Sequence, residues 1–364
     1  MENSKDSKTF KYYLYRFLSE KLQHALSRWL LRKQITAVGL HFPITPSEAR
    51  KICFILPKTP LESLFHLDSV LALLSRFPKV ETTLVCEQKV SPFFNKLPGI
   101  GTVLEYEENE HYLGSRELDN LSSLLRKEGF TICFLLEKNA DLPLLILAGS
   151  TGAPLRAGFW STNAYPFINI RVRPSPNDIY LSEQNMVLAS LFGASSTGGN
   201  RWVVAKKALE EVNYLFQETG IKFSSRHIGI DAAALFVEFG EKWTESLLDT
   251  LVKERHIPCY IYLPNDQNDN NLRSLAQKLG VPVISNLNVP QTAALIQQSK
   301  AIISGKSSFF QLAILLRKTA FGIFNENELA QYCKSSSYSK GIAFSRKSED
   351  KALKELLSLL ETVC

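Results

Sequence analysis

Apolar positions along the chain fall into two kinds of pattern. Between Phe10 and Arg32, Leu14, Leu18, Leu22, Leu26 and Leu30 recur every fourth residue, beside Phe10, Tyr13, Phe17, Ala25 and Trp29. Lys11, Arg16, Lys21, Arg28, Arg32 and Lys33 occupy much of the rest. A four-residue recurrence places the leucines on one helical stripe. A basic amphipathic helix of this kind suits an anionic membrane surface, a partner protein or the chain's own domain, and the pattern alone does not choose among them.

From Lys51 the period changes. "KICFILP", "ETTLVCE", "TVLEYE" and "FTICFLLE" are short apolar runs of strand length. Between and after them lie "PLESLFHLDSVLALLSRFP", the shorter "VSPFFNKLPGI", "RELDNLSSLLRKEG" and "LPLLILAGST", which read as helices. Continuous apolar strands alternating with helices predict a parallel sheet covered on both faces. The regularity weakens between Phe167 and Ser225, where "RVRPSPNDIYLSEQN" and "FGASSTGGNRW" suggest a connection between domains. Alternation then resumes. "HIGIDAA", "IPCYIYLP", "VPVISN", "KAIISG" and "TAFGIFN" read as strands, and "KWTESLLDTLVKER", "LRSLAQKLG", "VPQTAALIQQS", "SSFFQLAILLRK" and "DKALKELLSLLETV" as helices. The expected plan is an N-terminal extension over 1–47, an α/β domain over 48–200 and a second over 201–364. Two Rossmann-like halves of this kind bind ligands in the cleft, at the carboxyl ends of their strands.

The bulk numbers fit that plan. The 364 residues are 45% hydrophobic and 21% charged, enough for two cores. A formal charge of +6 is too modest for a dedicated nucleic-acid binder. No apolar run has the length of a membrane span, and no signal peptide is visible. The six cysteines form no CxxC pair, which removes the usual zinc pattern, and three lie in strand-like runs. They predict a reducing, cytoplasmic compartment.

One tripeptide invites a specific chemistry. Gly305-Lys306-Ser307 is the tail of a Walker A loop, but the first glycine of that motif would fall at Lys300, and "AIIS" between them reads as a strand. The P-loop is rejected. What remains is a strand ending at Gly305 and a helix near Phe309 that Ser307 or Ser308 can cap. Its free N–H groups offer an anion site or simply complete an ordinary turn.

The order of segments resembles the ADP-heptose:lipopolysaccharide heptosyltransferase family of GT-B glycosyltransferases, from about Lys51 to about Phe324. In "FILPKTPLESLFHLDSVLALLSRFP", Leu61-Glu62 stands where the family has Gly-Asp, and Asp68 stands where it usually has Pro. "AGSTGAPLRAGFW" resembles the Gly-x-x-x-Arg-x-Gly-Phe segment, with Arg156, Gly158 and Phe159 matching. "DIYLSEQNMVLASLFG" is similar to the linker helix, and Glu241-Lys242-Trp243 to the Lys-x-Trp entry to a helix, one residue short. Lys306-Ser307-Ser308-Phe309-Phe310-Gln311-Leu312-Ala313 aligns with Asp-Thr-Gly-x-x-His-Leu-Ala. There Asp has become Lys, Gly has become Ser and His has become Gln, while Leu-Ala persists.

The resemblance implies two Rossmann-like domains whose parallel sheets face each other across a cleft. It implies sugar transfer from a nucleotide-sugar donor to a membrane-held glycolipid of the lipopolysaccharide-core type, inverting and without a metal. Glu62 would be the base or acceptor-orienting group. Lys242, Trp243, Lys306, Ser307, Ser308 and Gln311 would hold the donor, with Arg156 elsewhere in the cleft. No cofactor is implied. Glu62, Lys242 and Arg156 favour that transfer, whereas the altered loops favour a catalytically degenerate relative that serves as a binding or scaffold subunit of a membrane-associated complex. The first helix would then dock a partner. Each residue also has a plain role open to it: Glu62 as a first-turn acid on a helix dipole, Lys242 as a solvated residue, Arg156 in a structural pairing, Trp243 as core.

Overall fold

The structure, a computed structural model, describes residues 25, 28, 45, 47–161, 164–173, 179–196, 203–221, 227–264, 270–345 and 349–362. The helix expected over Phe10 to Arg32 falls outside them apart from positions 25 and 28, both helical. The chain divides into two compact units, one comprising Met1–Pro176 and Ser182–Thr197, the other Asn177–Leu181 and Gly198–Cys364.

The first unit is built on β1 (Lys51–Ile55), β2 (Glu81–Glu87), β3 (Thr102–Tyr106), β4 (Ile132–Leu135), β5 (Leu155–Phe159) and β6 (Ile170–Val172). All pairings are parallel, in the order β3-β2-β1-β4-β5-β6. Its helices are α1 (Pro60–Leu64), α2 (Leu67–Arg76), α3 (Arg116–Lys127), α4 (Leu142–Ser150) and α5 (Leu181–Leu191), the last crossing the unit boundary at its first residue. β1, β2 and β4 are buried on both faces, as a covered parallel sheet requires, whereas β3, at the edge of the sheet, is only partly buried. Phe54 of β1 stacks on Phe134 of β4 at 5.4 Å between centroids.

The stretch read as one helix from Pro60 to Arg76 is broken in two. Asn185 Nδ2 donates to the Phe65 carbonyl at 3.1 Å, and the Ser63 hydroxyl donates to the Pro57 carbonyl at 2.9 Å. Side chains thus take up backbone positions around the break, and α1 is a separate short piece capped by Thr59.

The second unit contains α6 (Lys206–Glu218), β7 (Ile228–Ile230), α7 (Ala232–Phe239), α8 (Glu241–Asp249), β8 (Cys259–Tyr262), α9 (Asn270–Leu279), β9 (Val283–Ile284) and α10 (Val289–Gln298). They are followed by β10 (Ala301–Ser304), α11 (Ser308–Leu315), β11 (Ala320–Asn325), α12 (Leu329–Tyr332), β12 (Ser339–Phe344) and α13 (Glu349–Glu361). The sheet is again parallel, in the order β12-β11-β10-β7-β8-β9. Its interior leaves no room for added atoms at two glycines. A Cβ on Gly229 would lie 2.4 Å from the Tyr260 hydroxyl, and one on Gly322 would lie 2.5 Å from the Phe310 ring. Phe310 meets Phe324 edge to face at 5.2 Å. Ring volume thus replaces side chains that the strands omit.

Several elements exceed the sequence reading, among them β5, β6 and α12. α6 lies inside the span read as a connection, and it buries Ala208, Val212 and Phe216 at four-residue intervals. α7 and β12 were not anticipated.

Candidate functional site

Each sheet reverses its strand order once, between β1 and β4 in the first unit and between β7 and β10 in the second. At such a point the following loops part and leave a crevice at the carboxyl ends of the strands.

In the second unit the two strands end at Ile230 and Ser304. Asp231 follows β7 and caps α7, its Oδ1 accepting from the Ala234 amide at 3.2 Å. Its Oδ2 accepts from the Ser304 hydroxyl at 2.8 Å and the Ser307 hydroxyl at 2.5 Å. The Ser307 oxygen also accepts from the Phe310 amide at 3.3 Å, so of the two serines that could cap the helix after β10, Ser307 does so. Burial pushes the Asp231 carboxyl up, and the three donors oppose that rise without cancelling it.

Beside this triad, Lys306 Nζ donates to Glu328 at 2.8 Å and stands 4.5 Å over the Tyr332 ring. Burial pulls the Lys306 ammonium down, but Glu328 and Tyr332 together hold it above its ordinary value. Burial raises the Glu328 carboxyl, and Lys306 and Asn325 more than reverse this. Glu238 is raised by burial and by the neighbouring Glu328, while it accepts a hydrogen bond from Asn325 Nδ2. Gln311 is 3% exposed. Its amide nitrogen donates to the Tyr332 carbonyl and its oxygen accepts from the Tyr180 hydroxyl, both at 2.8 Å. Lys306, Ser307, Ser308 and Gln311 thus gather in one loop and helix start. Trp243 is turned into the core, edge to face with Phe239 at 5.2 Å and Phe344 at 5.3 Å, while Lys242 is exposed.

In the first unit β1 runs out into Lys58, Thr59 and Glu62, and β4 into Glu137, Lys138 and Asp141. Glu62 is exposed and accepts from the Thr59 hydroxyl at 2.7 Å. Glu137 is half-buried and accepts from the Asn139 amide at 3.0 Å. Burial raises its carboxyl. The Asn139 and Lys58 backbone amides oppose the rise, and Glu62 and Asp141 add to it. Lys138 donates to Gln184 at 3.1 Å and lies 5.6 Å over the Phe159 ring, its ammonium lowered by burial against the pull of Glu137 and Glu62. Lys58 pairs with Asp141, which caps α4.

Several polar atoms around this crevice have no hydrogen-bond partner: His66 Nδ1, the Tyr106 hydroxyl, both nitrogens of His111 and Asn185 Oδ1. Tyr106 and His111 stack at 4.4 Å. Burial depresses His66 to about 3, helped by Lys138, and His111 to about 4, where Lys58 assists and Asp141 resists. An open depression of about 480 Å³ at the ends of β2 and β3 is lined by Glu87, Gln88, Glu107, Glu108 and Asn109.

Arg156 has a different position. It is 4% exposed. Its Nε donates to the Phe167 carbonyl at 2.6 Å and its Nη2 to the Pro166 carbonyl at 3.2 Å, with Nη1 on Ala153. The guanidinium fastens the loop between β5 and β6. The acid pairing considered for it is replaced by carbonyls. Among the described residues no three His, Cys, Asp or Glu side chains converge in a way that could hold a metal.

The sequence reading missed Asp231, Glu328, Glu137 and Lys138. Asp231 and Glu137 each follow the last apolar residues of a strand at a reversal point, and strand order is what a linear pattern conceals.

No protein-family model matches this sequence, and no curated protein matches it. Solved structures do. A glycosyl transferase family 9 protein from Veillonella parvula superposes with a TM-score of 0.69 at 13% identity, over 88% of this chain and 93% of that one. ADP-heptose LPS heptosyltransferase II from E. coli gives 0.67 at 15% identity, over 86% and 99%. E. coli heptosyltransferase WaaC with ADP gives 0.61 at 11% identity, over 86% and 100%. The chain therefore has the α/β GT-B fold of the heptosyltransferases, the fold that the order of its segments implied.

Proposed function

We propose that this protein is a heptosyltransferase-like glycosyltransferase that moves a sugar from a nucleotide donor to a glycolipid of the lipopolysaccharide-core type. The observation that carries the reading is positional: in a chain with this fold, Lys306 to Gln311 start a helix at the reversal point of the second sheet. A diphosphate leaving group needs positive charge and free N–H donors, and Lys306 with the first turn of α11 offers both. Lys242 is a further exposed cation on that unit. Residues 48–200 would form the acceptor side and 201–364 the donor side. Glu62 would orient the acceptor hydroxyl, and transfer would proceed with inversion and without a metal.

E. coli heptosyltransferase WaaC has been solved with ADP, which suggests an ADP-sugar as the first donor to try. The basic amphipathic segment over Phe10 to Arg32, expected from its sequence to be helical, would bring the protein to the cytoplasmic face of a membrane. Among the described residues no helix is long and apolar enough to cross one.

A second reading has its own observation. Asp231 claims both serine hydroxyls, and Glu328 claims Lys306. A site whose donors are already committed suits a catalytically degenerate protein that uses the fold as a binding or scaffold module. Calorimetry with ADP-heptose separates the two. Saturable binding that Lys306→Ala weakens about tenfold supports transfer, on the scale of one charge-assisted hydrogen bond. No heat at millimolar donor favours the scaffold and overturns the enzyme.

A further inference from the structure

We infer that Glu137 is the catalytic base of the first unit, taking the acceptor hydroxyl's proton while Glu62 orients that hydroxyl; this rests on the transferase reading above. The two carboxylates come from opposite sides of the β1/β4 reversal point, Glu62 on α1 and Glu137 in the loop after β4. They differ in setting. Glu62 is exposed, on a helix of five residues, with the Thr59 hydroxyl bonded to it. Glu137 is held by the Asn139 amide and is half-buried.

A general base works best when its proton affinity approaches that of its surroundings at working pH and its geometry is fixed. Burial and the adjacent charge of Glu62 move Glu137 in that direction. The groups that face it are Glu62 from α1, Asp141 from the start of α4, the Lys58 amide after β1, Lys138 beside it, and the Tyr106 hydroxyl from the end of β3. The Tyr106 hydroxyl is buried and unpartnered. It marks this crevice as one whose polar groups are not all satisfied within the chain.

In the step, the acceptor oxygen forms a bond to the anomeric carbon as the bond from that carbon to the diphosphate oxygen breaks. The bonding pair leaves with the nucleoside diphosphate, the hydroxyl proton passes to a Glu137 oxygen, and water receives it after product departs. No other reactant is consumed.

The test follows ADP release from ADP-heptose with a deacylated lipopolysaccharide core as acceptor, for the unmodified chain, Glu137→Gln and Glu62→Gln. Glu137→Gln should lower kcat at least about 100-fold, keep the donor KM within about twofold, and abolish the acid limb of the pH–rate profile. Glu62→Gln should raise the acceptor KM and move the acid limb to lower pH, because a negative neighbour has been removed. Carboxyl-carbon NMR gives a readout free of turnover: Glu137 should titrate above the exposed glutamates and move down in Glu62→Gln. A chain that transfers sugar while Glu137→Gln turns over normally, or a Glu137 that titrates with the surface glutamates, overturns the assignment alone. An unmodified chain that neither binds nor consumes donor overturns the transferase reading, and the base falls with it.

Discussion

The two reversal points differ in how their polar groups are satisfied. In the second unit Asp231, Ser304, Ser307 and Gln311 bond to one another or to neighbouring side chains and carbonyls, and Lys306 is matched by Glu328. In the first, His66, Tyr106, His111 and Asn185 each keep a buried polar atom without a partner. An unsatisfied buried group costs about 1–3 kcal/mol. A closed network supports stability, whereas an unsatisfied crevice keeps hydrogen-bonding capacity for water or a ligand. The same parallel architecture therefore carries one end that is complete in itself and one that is not.

The sharpest way to break this contrast is Asp231→Ala. It removes the cap of α7 and strands two hydroxyls, so the second unit should lose about 3 kcal/mol in chemical denaturation while the first is unchanged. Equal loss in both units, or none, would show that the triad does not hold the second unit together. Arg156→Leu tests the counterpart in the first unit. Three carbonyls lose their donors, and that unit alone should lose about 2–3 kcal/mol.

Acid should separate the units by sign. His66 and His111 sit below the ordinary 6.5 in the folded chain, so the stability they contribute is complete above 6.5 and is lost as pH falls toward about 3 and about 4. The loss is on the order of 2 kcal/mol for each histidine by pH 5. Asp231 is raised, so its contribution is complete below the ordinary 3.8 and is lost as pH rises through its folded value. Acidification should weaken the first unit while relieving the second at this residue. Hydrogen exchange followed on β1 between pH 7 and pH 5, and on β7 across an acid series down to the ordinary 3.8, checks the prediction.

The smallest effect concerns Lys306. Glu328→Gln removes the competing anion at a partly exposed pair worth about 1 kcal/mol or less. Calorimetric affinity for ADP should rise by no more than about fivefold. A fall would mean that Glu328 helps the site.

Most of the fold was legible because its strands are continuous apolar runs. "KICFILP" and "AIISG" admit few other readings, and the strand before α11 narrowed its cap to Ser307 or Ser308. α6 was obscured by its charges, since only Ala208, Val212 and Phe216 mark its buried stripe. The break after Leu64 depends on Asn185, about 120 residues away, and no local pattern encodes it. Of the candidate site, one contiguous stretch was legible. Lys306 to Gln311 are contiguous and could be aligned. Asp231 and Ser304 are 73 residues apart, as their hydrogen bond requires the strand order to be known. Arg156 showed only as a matching letter, and its work on the carbonyls of Ala153, Pro166 and Phe167 is tertiary.

Gly322 bears on how this protein could be re-engineered. Because the Phe310 ring fills the space above that glycine, α11 is fastened to the sheet from below, independently of what its opening loop displays. Positions 306 and 308 can then be rewritten, toward an acid and a glycine for instance, with Ser307 kept as the cap and the backbone frame already in place. Grafting a foreign donor loop should thus alter ligand preference long before it disturbs folding.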